Sequence, residues 1–202
     1  MYPYIETCRI QDGSLQNLHY HQLRFERTRQ EVYGLTEHPL LKNTIQVPDG
    51  FGRGIYKCRV TYGLKIDLIE YEPYEISVIK TLKLVHSETI FYSYKYADRT
   101  ELKALFDLRG ACDDIIIVKQ GNISDSFSAN IALWNGSGWI TPDTPLLPGT
   151  MRASLLEQGV LAEGRITVED LSNYQCVRLI NAMRDLKSGD CIPIKEIVNM
   201  DY

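Results

Sequence analysis

Residues 4–10 (YIETCRI) alternate apolar and polar positions with the period of a half-buried strand, and Asp12-Gly13 follows as a turn. Leu18, His21, Phe25, Thr28 and Val32 then recur at spacings of three and four. That period predicts a helix, with Asn17 before it and Gly34 after it as caps. Residues 35–53 are polar, with proline and glycine, and read as a loop or short helix. Strand-like runs follow at 55–63, 64–74 and 76–85. A boundary is expected near residues 84–90, separating an N-terminal subdomain over 1–86 from a C-terminal one over 87–202.

TIFYSYK (89–95) reads as a strand, and Asp98-x-x-Glu101 as a capping box opening a helix through Leu102, Leu105 and Phe106. Lys95 is thereby placed where a strand ends. DIIIVK and ISDSF flank the turn Gln120-Gly121-Asn122, and NIALW and WITP flank 135–138, which predicts a β-meander. LLPGTMRASLLEQG runs from loop into a helix ended by Gly159. Thr167-x-x-Asp170 forms a second capping box, and RLINAM resembles a short buried strand. The pattern is that of an α+β protein rich in antiparallel strands.

Composition narrows the function classes. The chain has 202 residues, 44% hydrophobic and 24% charged, enough for a real core in one unit or two small subdomains. A net charge of −4 argues against nucleic acid as the main partner. Five scattered cysteines, with no C-x-x-C pair, argue against a zinc or disulfide framework and for core thiols in a reducing cytoplasm. The N-terminus shows no signal-peptide core and no apolar stretch reaches membrane-spanning length, so a cytoplasmic location is expected.

Four features could carry chemistry. Lys95, among the aromatics Phe91, Tyr92, Tyr94 and Tyr96, could lose its charge by desolvation and serve as a Schiff-base amine, or be a solvated surface lysine. Asp125 alternates with Ile123 and Phe127, so its carboxylate either lies among apolar neighbours and needs a cation, or is exposed beside a turn. Leu147-Pro148-Gly149-Thr150-Met151 opens a helix whose amides could hold a phosphate, although many such helices bind nothing. Arg24, three residues after His21, offers a fork suited to phosphate or a solvated helix-face charge. No metal site is expected.

In order along the chain, these pieces resemble the class IV aminotransferases, the family of branched-chain and D-amino-acid aminotransferases and 4-amino-4-deoxychorismate lyase. IETCRIQDG is similar to the family's Phe-Glu-Thr strand and turn, HQLRFERT to its His-x-x-Arg-Leu helix, and GIYKCRVTYG to a strand ending in glycine. SYKYADR, NISDSFSAN, LLPGTMR and LINAM complete the series. The resemblance implies a two-subdomain fold type IV enzyme, with a small N-terminal α/β subdomain and a larger β-rich, pseudo-barrel C-terminal one. It implies pyridoxal 5'-phosphate as cofactor, a small-molecule substrate (an amino acid or aminodeoxychorismate) and a homodimer.

Carried over by residue, Lys95 would hold the cofactor and move the substrate's Cα proton, and Asp125 would keep the pyridine nitrogen protonated. Arg24 and the amides of Thr150 and Met151, beside Gly149, would grip the phosphate. Leu147 would pack on the ring, and the turn at Asn181-Ala182 would line the pocket. Arg99 and Met183 would touch substrate. Three departures bear on substrate choice: Asp125 stands where the family usually has Glu, Thr100 where branched-chain enzymes carry tyrosine, and the chain opens where typical members already have several strands.

Arg99 four after Lys95, the run Gly149-Thr150-Met151-Arg152, and Asn181-Ala182-Met183 resemble the lyases, which release pyruvate to leave the folate precursor 4-aminobenzoate. The alternatives are an aminotransferase acting on branched-chain or D-amino acids with a 2-oxo acid acceptor, and a non-catalytic cofactor-binding protein.

Overall fold

The first predicted segment forms β1 (Tyr4–Gln11), buried on both faces rather than alternating, which turns through Asp12 and Gly13, both at positive φ, into β2 (Ser14–Leu15). The computed structural model describes residues 3–187 and 191–198. It divides into two units, Met1–Ile76 with Tyr94–Asp98, and Ser77–Ser93 with Arg99–Tyr202. The protein is a mixed α/β fold made mostly of strands, as the sequence pattern and the resemblance both imply.

In the first unit, α1 (Leu18–Tyr33) buries His21, Arg24, Phe25, Thr28 and Arg29, close to the predicted stripe. Gly34 ends it with φ 68°, a conformation only glycine adopts cheaply, and its N–H bonds the carbonyls of Arg29 and Gln30. Asn17 occupies the N-cap position but its side chain makes no cap hydrogen bond. The short α2 (Leu41–Thr44) precedes β3 (Ile55–Tyr62) and β4 (Ile66–Pro73). The sheet order is β2-β1-β3-β4, antiparallel throughout. Cys8 lies opposite Cys58, and Tyr4 opposite Tyr62. Those pairs face a core completed by Phe25, Leu41 and Val60.

The second unit packs two sheets on one core. β5 (Leu82–His86), β6 (Asp114–Lys119), β7 (Asn122–Ile123) and β13 (Ile197–Val198) form a sheet of order β13-β5-β6-β7. β8 (Asn130–Trp134), β9 (Trp139–Pro142), β10 (Leu161–Gly164), β11 (Cys176–Ile180) and β12 (Ile192–Pro193) form the other, ordered β10-β9-β8-β11-β12. Ile116, Val118 and Ile123 of the first sheet meet Ile131, Leu133 and Val177 of the second in a single cluster. α3 (Thr100–Asp107) and α4 (Thr150–Glu157) lie between strands in sequence. Gln120 and Gly121, both at positive φ, make the predicted tight turn.

Several expectations need correction. The run at 76–85 pairs only from Leu82, because the Asp113 carboxylate takes the Lys80 and Thr81 amides at 2.8 and 3.0 Å before a ladder can start. Residues 89–95 form no strand. Ser87 Oγ accepts the Ile90 N–H at 3.3 Å, so the chain turns there, and the aromatic run packs instead of pairing. Lys95 therefore does not end a strand. Arg99, one residue after the expected Asp98, takes the N-cap position of α3, and its side chain makes no cap bond. The box at Thr167 and Asp170 does form: the carboxylate accepts the Thr167 N–H at 2.9 Å and its hydroxyl at 3.0 Å. RLINAM is strand only to Ile180 and then turns. Cys176, on β11, and Cys191, immediately before β12, are joined by a disulfide, against the expectation of free thiols.

Candidate functional site

The residues singled out by sequence fall into two clusters, one in each unit. In the first unit, the helical spacing of three puts His21 and Arg24 on one face of α1, and strand alternation points Glu6 into the same core. Arg24 donates from Nε to Glu6 Oε1 at 2.9 Å and from Nη2 to Oε2 at 2.7 Å, a bidentate fork. His21 Nδ1 meets Oε2 at 2.6 Å. Burial alone would raise the Glu6 carboxyl, but the Arg24 guanidinium and the two hydrogen-bond partners outweigh it and hold it near 2. His21 is pushed below its ordinary value, first by burial and further by the charges of Arg24 and Lys95, against the pull of Glu6. Its short contact is thus a neutral imidazole donating to a carboxylate.

Lys95 is half-buried, and its carbonyl accepts the Ile5 N–H at 2.9 Å. Tyr96 bridges Tyr4, and their rings lie 5.2 Å apart. The lysine's main chain is thereby fastened beside the strand that carries Glu6. Two of Arg24's three nitrogens are committed to Glu6, which leaves Nη1 for a second anion. Sequence reasoning passed over Glu6. The same logic that marked Asp125 would have found it, since Tyr4, Glu6, Cys8 and Ile10 share one face.

In the second unit, Asp125 sits on a bulge. Ser124 N–H donates to the Ile117 carbonyl at 3.0 Å and Ile117 N–H to the Asp125 carbonyl at 2.8 Å, so two residues oppose one. The expected alternation of Ile123, Asp125 and Phe127 is broken there. Ser126 N–H then donates to the Ala129 carbonyl at 2.8 Å, and the reversed chain brings Asn130 opposite Asp125.

Asn130 Nδ2 donates to Asp125 Oδ1 at 2.7 Å and to the Leu147 carbonyl at 2.8 Å, and Leu147 N–H donates to Asp125 Oδ2 at 3.0 Å. These partners of the carboxylate, and the Leu146 N–H that also acts on it, are neutral. Burial lifts it to about 6 despite those donors and the more distant charge of Arg152. Asn130 was not among the candidates, although its five-residue spacing from Asp125 was visible.

Gly149, in extended backbone, is the N-cap of α4. A Cβ there would stand 2.0 Å from Asn130 Oδ1, so glycine is required by this neighbour. Thr150 and Met151 are both buried at the start of the helix. Asn181 anchors the turn after β11: its Nδ2 donates to the Ser128 carbonyl at 3.1 Å, its Oδ1 accepts the Met183 N–H at 2.9 Å, and Arg184 N–H donates to its carbonyl at 3.0 Å. Ala182 is half-buried and Met183 buried. Arg99 stacks over the Phe127 ring at 4.1 Å and donates to the Phe127 carbonyl, which ties it to the 126–129 turn. Among the described residues no group of three His, Cys, Asp or Glu could hold a metal ion. No helix among them is long and apolar enough to cross a membrane.

The family described as "Amino-transferase class IV" matches residues 91–197. An uncharacterized protein of Haemophilus influenzae is 39% identical over 188 residues, 92% of this chain and 100% of that protein. The crystal structure of a "putative 4-amino-4-deoxychorismate lyase" from Haemophilus somnus superposes with a TM-score of 0.84 at 36% identity, covering 92% of this chain and 98% of that one. A PLP-bound hypothetical aminotransferase from Mycobacterium tuberculosis, 15% identical, shares the fold with a TM-score of 0.76 over 98% of this chain and 82% of its own.

Proposed function

Because the chain belongs to the amino-transferase class IV family, a family of PLP-dependent enzymes, we propose that it is a 4-amino-4-deoxychorismate lyase that releases pyruvate and 4-aminobenzoate. The observation that supports the lyase over other members is the 36% identity, across nearly the full length of both chains, to the solved Haemophilus somnus protein bearing that name. The acid–base character of Asp125 fits the cofactor. A buried carboxylate raised to about 6, bonded only by neutral donors, is an anion lacking a cation, which a protonated pyridine nitrogen supplies.

When bound, the cofactor supplies an electron sink for the bond broken at the substrate. In this reading Lys95 holds the cofactor through its amine and moves the proton at the substrate carbon. Asp125 keeps the ring nitrogen protonated, with Asn130 and Leu147 N–H fixing its orientation. Arg24 and the first amides of α4, at Gly149, Thr150 and Met151, hold the phosphate, and Leu147 and the Asn181-Ala182 turn line the cofactor. Glu6 and His21 set the orientation of Arg24. Arg99 and Met183 are assigned to the substrate side, Arg99 by way of the 126–129 turn it braces. The working form is a cytoplasmic homodimer, checked by sedimentation.

The deciding experiment supplies purified protein with aminodeoxychorismate and no amino acceptor. 4-Aminobenzoate with equimolar pyruvate supports the lyase. Turnover that requires a 2-oxo acid, with none of those products, establishes the aminotransferase alternative. Lys95→Ala is expected to abolish both turnover and the borohydride-stable adduct seen by mass spectrometry. Lys103→Ala, whose ammonium pairs with Asp107 on the exposed side of α3, leaves both intact. Equal loss in the two variants would refute the assignment of Lys95.

A further inference from the structure

Asp125 and Asn130 are joined by the turn at residues 126–129, so the conformation of that turn decides where the two side chains stand. Both main-chain polar groups of Phe127, Ser128 and Ala129 are bonded. Ser126 serves the turn from within: its N–H donates to the Ala129 carbonyl at 2.8 Å, and its Oγ accepts the Ser128 and Ala129 N–H groups at 3.3 and 3.1 Å. The other holds come from outside it. Asn181 Nδ2 donates to the Ser128 carbonyl at 3.1 Å. Phe127 is gripped by a charge at either end, since Arg99 donates to its carbonyl and Asp114 Oδ1 accepts its N–H at 3.3 Å.

Asp114 is the buried first residue of β6, and Ile117 of the same strand donates its N–H to the Asp125 carbonyl at 2.8 Å. One strand therefore holds the chain at Asp125 and again two residues later. The carboxylate that does so is itself fixed, because Oδ1 also accepts the Ile115 N–H at 2.7 Å. Burial pushes the Asp114 carboxyl above its ordinary value, against those two N–H groups and the charges of Arg184 and Arg99. The Phe127 ring is held too: the Arg99 guanidinium lies 4.1 Å from its centre, and the Phe106 ring of α3 stacks on it at 4.4 Å. What the turn draws from Asp114 is an acceptor at a set place. Without it the Phe127 N–H loses its bond, and a partly buried donor so orphaned pulls the chain towards water.

We propose that Asp114 is a positioning residue for Asp125: by taking the Phe127 N–H it fixes the 126–129 turn, and so holds the Asp125 carboxylate in register with Asn130 and the Leu147 N–H. The consequence for turnover rests on the reading of Asp125 as the partner of the cofactor's ring nitrogen. The positioning itself does not.

The test compares Asp114→Ala, which removes the acceptor, with Asp114→Asn, which removes the charge and keeps an acceptor oxygen. In the cofactor-free protein the Asp125 carboxyl is titrated by carbon-13 NMR and the Phe127 amide is followed by hydrogen exchange. In Asp114→Ala the Asp125 midpoint is expected to fall from about 6 towards its ordinary 3.8, as water reaches the loosened turn. The Phe127 amide should exchange about tenfold faster or more. With cofactor bound, kcat should fall about tenfold at little-changed KM, and the pH dependence of the cofactor's absorption should move as it does in Asp125→Asn. Asp114→Asn should stay within about twofold of wild type in both rates and keep both midpoints. The borohydride-stable adduct at Lys95 is expected in every variant. Should Asp114→Ala fail to fold, Asp114→Ser takes its place, with an oxygen one bond too short to reach the Phe127 N–H.

An unmoved Asp125 midpoint in Asp114→Ala overturns the proposal. So does an equal shift in Asp114→Asn, which would make the charge and not the held N–H responsible. If the midpoint moves in Asp114→Ala while the bound cofactor's absorption ignores both that change and Asp125→Asn, the positioning stands and the ring-nitrogen reading of Asp125 fails.

Discussion

Glu6 in the first unit and Asp125 in the second are both carboxylates almost fully removed from water, and they have opposite electrostatic characters. Glu6 is matched by a bidentate guanidinium and a neutral imidazole, so it stays charged and its site is complete without help. Asp125 is bonded by an amide and a backbone N–H, which orient it and do not neutralise it. Burial is therefore the dominant force on Asp125 and a defeated one on Glu6. A complete ion pair is what a scaffold uses to fix a geometry. An oriented carboxylate without a cation is what a binding site keeps for its ligand.

The largest effect is expected from removing the anion of the complete pair. Glu6→Ala leaves Arg24 buried without its counterion and should destabilise the protein by about 3–5 kcal/mol. Thermal unfolding should shift down by roughly 10 °C or more for a chain of this size. Asp125→Asn should behave in the opposite way. The apo protein should lose little stability, while turnover falls about a hundredfold or more, because a neutral amide cannot hold a proton on the ring nitrogen. If Asp125→Asn unfolds the protein as Glu6→Ala does, or leaves the rate intact, the contrast is wrong.

Acid and base should separate the same two groups in the cofactor-free protein. Glu6 has a folded value near 2, below its ordinary 4.5, so its contribution is present above pH 4.5 and lost as pH falls towards 2. Asp125 has a folded value of about 6, above its ordinary 3.8. Its contribution is full below pH 3.8 and is lost as pH rises through 6, a change of about 2–3 kcal/mol. Denaturant melts of wild type and Asp125→Asn should thus diverge between pH 4 and 6, with the variant gaining relative stability as pH rises. Saturation with pyridoxal phosphate should shrink that gain, since the ring supplies the missing cation. Parallel curves across this window would remove the basis for calling Asp125 unpaired.

Much of this contrast was legible in the sequence, and unevenly so. The helix over 18–33, the hairpins around 120–122 and 135–138, and the helix ended by Gly159 follow from local period and turn chemistry, which a single chain displays. The segment around Lys95 did not. Its aromatics have the composition of a strand, but Tyr94 and Tyr96 pack their rings on Tyr4, and the Ile5–Lys95 bond and the Tyr4–Tyr96 bridge connect it to β1. Pairing partners that far apart in sequence leave no local trace. Asp125 was identified as a carboxylate among apolar neighbours, while the bulge that aims it depends on Ile117 across the sheet. Glu6 was readable by the same alternation and was missed because its partners lie fifteen and eighteen residues away. The Cys176–Cys191 bond was invisible for a similar reason: pairing of β11 with β12 brings the two together, and spacing does not announce it.

The smallest expected effect tests how tightly the second cluster is built. In Gly149→Ala the new methyl group would meet Asn130 Oδ1 at 2.0 Å, a distance no packing tolerates. Asn130 cannot swing aside freely, because its Nδ2 is held by both Asp125 and the Leu147 carbonyl. The variant must therefore move the asparagine, shift the start of α4, or both, at a cost of about 1–3 kcal/mol. Asn130→Ala removes the obstruction along with the tether. In that background Gly149→Ala should cost well under 1 kcal/mol, so the double-mutant cycle should be strongly non-additive. Glu6→Ala, in the other unit, should add to Gly149→Ala without coupling. Additivity between Gly149→Ala and Asn130→Ala would mean that glycine is needed there for some reason other than the asparagine that orients Asp125.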